Sequence, residues 1–227
     1  MNAVRKLTSS AGISGYMLLL GAIVINFIVQ GPSFFTATSF TSLLSVNTPL
    51  IIAAIAQTIV VLNKGIDLSV GSNITLVNTI VILLSNKYGW PIEAACAIGL
   101  VAGTVIGAIN GAIIAFLRIP SLLATFATMS VFGGLALIVL PTPGGTVPSY
   151  VYLFYGGQTL GIPNALFIVI AVGLIWLLIS KYPIGKYIRA VGGAERSAYS
   201  SGIGIAKVRF VTYTLAGAIS GVAGLCI

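Results

Sequence analysis

Asn63–Ser72 reads NKGIDLSVGS, and it interrupts a chain that is otherwise almost continuous Leu, Ile, Val and Ala. A lysine, an aspartate, two glycines and two serines fall together here, and Asp67 is one of only three acidic residues in 227. Gly65 and Gly71 break a helix, and Asp67 or Ser69 suits the cap of the helix that follows. On that reading Lys64 offsets the charge from three residues away. An ionisable side chain within a span costs several kcal/mol and marks a functional candidate. Irregular backbone is tolerated at membrane depth only where protein or water surrounds it. The stretch therefore reads as a capped helix break, as a loop lining a cavity, or as both.

On either side, composition settles the class. Hydrophobic residues make up 58% of the chain and charged residues 6%, against about a quarter charged in soluble domains. The mean hydropathy is +1.11. The expected fold is all-α, a polytopic transmembrane helical bundle with a broken or re-entrant helix near residues 63–85, forming a single membrane domain over 1–227. A crossing helix needs about 20 apolar residues. Candidate spans are Ile13–Val29, Leu43–Leu62, Ile74–Leu84, Ile92–Leu117, Ser121–Leu140, Asn164–Ile179 and Phe210–Ile227. No A-x-A-like site follows the first, so it is expected to stay as a helix. Ile74–Leu84 covers about half of a bilayer core. It either borrows the polar stretch before it or is a re-entrant half-helix.

Cations orient the spans. With the N-terminus, Arg5 and Lys6 included, in the cytoplasm, Lys64, Arg118, Lys181, Lys186, Arg189, Arg196, Lys207 and Arg209 also fall inside. Only Lys87 falls outside, ten against one. The outer segments are then Gln30–Thr41 and the uncharged Pro141–Pro163. Phe34, Phe35 and Phe40, and Tyr150, Tyr152, Phe154 and Tyr155, fit an interfacial belt there. The net charge of +8 is spread by topology and makes no basic face, so membrane lipid rather than nucleic acid is the expected surrounding.

Gly99, Gly103, Gly107 and Gly111 recur every four residues, and Gly217 and Gly221 repeat the spacing. Such stripes let helix backbones approach closely, or they widen a pathway. Asn47, Gln57, Asn78, Asn110, Thr125 and Thr128 lie in apolar runs. Hydrogen bonds between helices are one use for them. Asn47, Gln57, Asn78 and Asn110 are also candidates for lining the path of a hydroxyl-rich solute.

Lys181–Phe210 is the longest cytoplasmic segment, with Glu195 its only acid. The pair Gly192–Gly193 starts a break, and Ala194–Ser201 reads as a short helix ending at Gly202. Such a helix, held between glycine turns, is a candidate docking element. Glu195 and Arg196 would be its polar contacts, with Ala198 and Tyr199 as packed anchors. The chain has no G-x-x-x-x-G-K-[ST] loop, no histidine, no paired carboxylates and no metal-ligand cluster, so it is not expected to be an enzyme or to hold a cofactor of its own.

At GIDLSVGS, Gly65–Ser72, and GKYIRAVGGAERSAYSSGIGIAKVRF, Gly185–Phe210, the sequence resembles the permease subunits of bacterial ABC sugar importers of the ribose/xylose/arabinose type. RIPSLLATFATMSVFGGLAL, Arg118–Leu137, resembles that family's PFIATL region. The resemblance implies an inner-membrane permease that pairs with a second permease subunit, as homodimer or heterodimer. It implies docking to cytoplasmic ABC ATPase subunits, which use the ATP, and delivery of a monosaccharide by an extracytoplasmic sugar-binding protein. It maps Gly193, Glu195, Arg196, Ala198, Tyr199 and Gly202 onto the ATPase-coupling loop, and Gly65, Asp67, Ser69, Gly71 and Ser72 onto a broken-helix motif. The coupling loop is only loosely similar to the EAA…G loop of other ABC importers, since Arg196 and Ser197 stand for its two alanines. Family members usually continue for several more spans, whereas this chain ends at GVAGLCI, so a fragment is expected. A carrier or channel that works without an ATPase is the alternative, and a non-transporting membrane scaffold is a third reading. The broken helix and glycine-rich spans favour transport over the scaffold.

Overall fold

The computed structural model describes residues 10–142 and 144–227. Arg5 and Lys6, on which part of the orientation rests, lie outside them. The chain divides into two compact units, Met1–Leu44 and Ser45–Ile227. In the first, helix α1 (Ser10–Gln30) is apolar on every side and runs into a 3-10 turn at Gly31–Phe35. Phe35 packs its ring against Phe27 and Phe34 there.

Helix α2 (Ala37–Leu62) starts six residues before the expected span and accommodates Pro49. It is followed by α3 (Val70–Ile82), α4 (Ile92–Phe116), α5 (Ser121–Val139), the short α6 (Ser149–Tyr155) and α7 (Asn164–Lys181). Then come α8 (Pro183–Gly193), α9 (Glu195–Ser200) and α10 (Ile205–Leu225). The only strands among the described residues are Gln158–Thr159 and Ile162–Pro163, an antiparallel ribbon. Among the described residues six helices are long and apolar enough to cross a membrane, so the architecture is an all-α polytopic bundle.

The short third span resolves in favour of borrowing. Helix α3 takes Val70–Asn73 from the polar stretch and continues past Ile82 into a π turn, Leu83–Lys87. Val70–Lys87 rises about 25–27 Å, close to the ~30 Å of a hydrocarbon core. Its length suits a crossing, and the break lies before it.

The centre of the larger unit is the antiparallel pair α4 and α10, joined along the two glycine stripes. A Cβ added at Gly103 would stand 2.8 Å from the Cα of Gly221, and one at Gly107 2.7 Å from the Cα of Gly217. One at Gly111 would meet the carbonyl of Phe210 at 2.7 Å. No side chain fits at these separations, so the stripes are used for packing. Helices α3 and α5 close round this pair, with Leu76, Ile106, Phe132 and Ala136 forming a buried cluster.

The two ends differ in charge. Lys64, Arg118, Lys207 and Arg209 line one cavity at one end. Lys87 sits at the other, beside Leu140, Pro141, Thr142, Gly144 and Gly145. There Asn86 accepts from the N–H and hydroxyl of Thr146 (2.8 and 3.0 Å) and donates to its carbonyl (2.9 Å). Tyr150 donates to Glu93 (2.6 Å) beside it.

The segment Lys181–Phe210 is more structured than the sequence reading expects. A whole helix, α8, precedes the short one. Gly192 and Gly193 belong to α8, and the break falls at Ala194, with φ −149°. Gly185, Ile188, Val191 and Gly192 form its buried stripe. A Cβ at Gly192 would collide with the carbonyl oxygen of Leu62, at the end of α2. Gly192 therefore marks a close approach rather than a break.

Candidate functional site

Helix α2 stops in a Schellman turn. The N–H of Gly65 bonds the carbonyl of Val60 (3.0 Å), that of Lys64 bonds Val61 (2.9 Å), and Lys64 takes the left-handed conformation, φ +55°. Such a position favours glycine; here a lysine occupies it and glycine follows. Gly65 is required for a different reason, because a Cβ there would overlap the Tyr213 hydroxyl.

From Gly65 the chain runs inward, and every neighbouring helix reaches it. Ser121 accepts from the N–H of Ile66 (3.2 Å), and Thr125 accepts from that of Leu68 (3.1 Å). Tyr213 and Thr125 both donate to the Ile66 carbonyl (3.3 Å each). Asn63 donates to Thr212 (3.2 Å). Asp67 is buried, and its Oδ1 accepts from both the N–H (2.8 Å) and the hydroxyl (2.6 Å) of Ser69. Ser69 stands at the cap position of α3 but makes no side-chain cap bond to the helix. Its hydroxyl is turned back to Asp67, which closes an Asx turn. Ser69 Oγ in turn accepts from the Asn110 amide (2.7 Å), and Asn110 Oδ1 accepts from Thr128 (2.7 Å). The donors thus run in one direction, Thr128 to Asn110 to Ser69 to Asp67. Asn110 precedes the end of α4 by six residues, so the loop reaches about 9 Å below that end.

The expected offset by Lys64 is not formed. Its ammonium donates instead to the carbonyl of Gly193 (3.3 Å), at the end of α8. The ion pair among the described residues is Arg209–Glu195 (2.8 Å), between half-exposed side chains; such pairs contribute under about 1 kcal/mol. Asp67 therefore has no cationic partner among those residues.

The second candidate element is α9. It ends in its own Schellman turn, with the N–H of Ile203 on the Ala198 carbonyl (3.1 Å), that of Gly202 on Tyr199 (2.9 Å) and Gly202 at φ +81°. Ala198 is 5% exposed and packs into the chain's own core, whereas Tyr199 is 73% exposed. The expectation that both serve as anchors for a partner is thereby corrected: Ala198 is already used. Glu195 and Arg196 are exposed. Between α9 and the broken-helix loop lies a cavity of about 810 Å³, lined by Lys64, Gly65, Arg118, Glu195, Tyr199 and Lys207 among others. The structure therefore places the two sequence motifs face to face.

It does not gather the four candidate lining residues. Asn110 is fully buried in the loop's network. Asn78 reaches only the Gly224 carbonyl (3.5 Å), Gln57 has a buried Oε1 without a partner, and Asn47 is exposed on α2. None of the four lines the cavity. Gly71 meets nothing within 4 Å of an added Cβ, and Ser72 donates to the Ser69 carbonyl (2.9 Å). The sequence reading missed Ser121, Tyr213 and Asn73, whose amide bonds Ser220 (2.7 Å) and the carbonyls of Gly103 and Gly217 (3.2 and 3.3 Å). Ser121, Thr125 and Thr128 recur at helical spacing, which was a usable signal.

The model of the family described as "Branched-chain amino acid transport system / permease component" matches residues 39–227. The chain is 30% identical over 231 residues to the ribose import permease protein RbsC of Escherichia coli (strain K12), covering 97% of this chain and 71% of that one. It is 35% identical over 216 residues to RbsC of Bacillus subtilis (strain 168), covering 92% and 66%. It is 30% identical over 229 residues to the fructose import permease protein FrcC of Rhizobium meliloti, covering 96% and 63%. No solved structure matches.

Proposed function

We propose, because the chain belongs to the family of branched-chain amino acid transport system permease components, that it is the membrane-spanning permease subunit of an ABC importer and forms the path of a sugar. The relatives named for ribose and fructose import support a monosaccharide as cargo. The end carrying Lys64, Arg118, Lys207 and Arg209 faces the cytoplasm of a bacterial cell, in agreement with the positive-inside rule. ATP is hydrolysed by a partner ATPase docked at that end, an extracytoplasmic binding protein delivers the sugar, and a second permease subunit completes the path.

The observation that carries the reading to a mechanism is the placement of α9. A six-residue helix, fixed by Ala198 on one side and exposing Glu195, Arg196 and Tyr199 on the other, stands at the cation-rich end beside the broken helix. A partner that seats on this face displaces it as a unit, because the Schellman turn and the Ala198 contact hold its backbone.

The test is reconstitution of the permease with a candidate ATPase in liposomes carrying external binding protein. Sugar uptake that needs ATP on the α9 side is expected. Uptake that proceeds with no ATPase bound would replace this reading with a stand-alone carrier.

A further inference from the structure

The broken-helix loop and the α9 segment are joined by two contacts. Gly192 lies so close to the end of α2 that an added Cβ would collide with the Leu62 carbonyl oxygen and stand 2.8 Å from its carbon and 3.1 Å from the Cα of Asn63. One residue later, the Gly193 carbonyl accepts the Lys64 ammonium (3.3 Å). Lys64 is the left-handed residue from which the loop departs. Both contacts fall at the last turn of α8, and α9 begins immediately after Ala194. Beneath them, Ile59, Val60, Ile188, Val191 and Ala198 share one buried cluster. The side chain of α9 that points inward therefore belongs to the same buried cluster as the residues that end α2.

On the far side the loop is bonded to three helices: α5 through Ser121 and Thr125, α10 through Thr212 and Tyr213, and α4 through Ser69 and Asn110. The Gly192 contact, on Leu62 and Asn63, and these bonds, from Asn63 to Ser69, are contiguous along the chain.

We propose that Lys64 and Gly192 are positioning residues that form a joint. Through it, displacement of α9 moves the Asn63–Ser69 loop and, by way of the loop, α4, α5 and α10. The Gly192 contact fixes the spacing and transmits a push. The Lys64 bond transmits a pull, so α9 and the loop move together in both directions. Left-handed backbone at Lys64 is part of the device, since it aims the side chain back across the helix end toward Gly193. The role in transport rests on the ABC reading above; the joint itself does not.

The experiment uses Lys64→Met, which keeps the length and apolar stem of the side chain and removes the bond, with Lys64→Arg as the restoring variant. Gly192→Ala is included, although its clash with Leu62 threatens folding. Hydrogen exchange is first measured on the full-length protein in detergent with no ATPase present. Lys64→Met is expected to raise exchange about five-fold at amides of both Asn63–Ser69 and Gly193–Ser201, as loss of one modest hydrogen bond would. Unchanged exchange at either segment overturns the joint, whatever transport does. In the reconstituted system Lys64→Met is then expected to lower sugar transported per ATP hydrolysed about five-fold while hydrolysis itself persists, and Lys64→Arg to restore the ratio. Wild-type coupling in Lys64→Met overturns the proposed transmission. Absence of ATP-dependent uptake in the wild type overturns the ABC reading and the transport role together, and leaves the exchange result to decide the joint.

Discussion

Replacing Gly107 by Ala tests the central seam with the smallest change available. The new Cβ would stand 2.7 Å from the Cα of Gly217 and 3.0 Å from its nitrogen, and would overlap the Tyr213 carbonyl oxygen. Ordinary contact begins near 3.4 Å, so α4 and α10 must separate by at least 3.4 − 2.7 = 0.7 Å. They cannot yield locally, because Gly103 against Gly221 and Gly111 against Phe210 are equally close on either side. Overpacking of this kind costs about 1–3 kcal/mol, and the better helix propensity of Ala returns roughly 0.5–1 kcal/mol. The net expectation is a destabilisation of up to about 2.5 kcal/mol. Gly134 on α5 is the control, since an added Cβ there meets nothing within 4 Å; Gly134→Ala should gain the propensity term alone. At about 2–4 °C per kcal/mol for a chain of this size, the propensity gain cancels between the two variants, and thermal unfolding in detergent should place Gly107→Ala roughly 2–12 °C below Gly134→Ala. Equal midpoints would refute the claim that the glycine stripes exist for backbone contact.

Three further outcomes are expected. A cysteine at Ser149 should react with an impermeant thiol reagent added outside, and one at Ser197 should not; the reverse pattern inverts the orientation. Tyr199→Ala should lower ATPase association and uptake with the unfolding midpoint unchanged, since the ring is 73% exposed, whereas Ala198→Phe should lower the midpoint of the permease alone, since the site is 5% exposed. Asp67→Ala should cost about 1–3 kcal/mol by leaving the buried Ser69 N–H without an acceptor, and Asp67→Asn, whose amide oxygen still accepts, should be nearly as stable as wild type. A wild-type uptake rate for Asp67→Ala in a reconstituted transporter would remove any functional part for this residue.

The lengths of the apolar runs and the cation distribution made the spans legible because both follow from the membrane itself. Ser121–Val139 and Ile92–Phe116 agree with the sequence reading to within one residue at each end. The glycine stripes were legible as stripes, but their spacing fits close approach or a widened pathway, and the backbone contacts of Gly103, Gly107 and Gly111 decide for close approach. Helix α8 was missed although Pro183 suits a first helical position and Ile184, Ile188 and Val191 recur at helical spacing. The Gly192–Gly193 pair masked it. A glycine pair in sequence signals a break, and here tertiary contact with Leu62 overrides that local preference. The partner of Lys64 was not legible at all, and that of Asp67 only as a cap at the start of the next helix. A lysine three residues from an aspartate suggests a pair, but the left-handed turn at Lys64 sends its side chain toward Gly193, 129 positions away.

The polar residues of the neighbouring helices acquire a definite use once the loop's hydrogen bonds are counted. Of the seven amides from Asn63 to Ser69, six have acceptors: Val60 twice, Val61, Ser121, Thr125 and Asp67. Buried backbone groups without partners each cost about 1–3 kcal/mol, so this saturation is what allows irregular chain to enter a bundle of spans. Asp67 supplies the one acceptor that no neighbouring helix provides. In doing so it fixes the Ser69 hydroxyl so that its lone pair faces Asn110, which in turn holds Thr128. Asn110, Ser121, Thr125 and Thr128 are thus committed to the loop. A solute passing through the subunit by way of Asn110 would have to break the bonds to Ser69 and Thr128 and free a buried loop at each passage. The hydroxyl-binding path of a sugar is therefore better sought on a face of the bundle where polar groups are not consumed by its own backbone, and a second subunit is one way to enclose such a face.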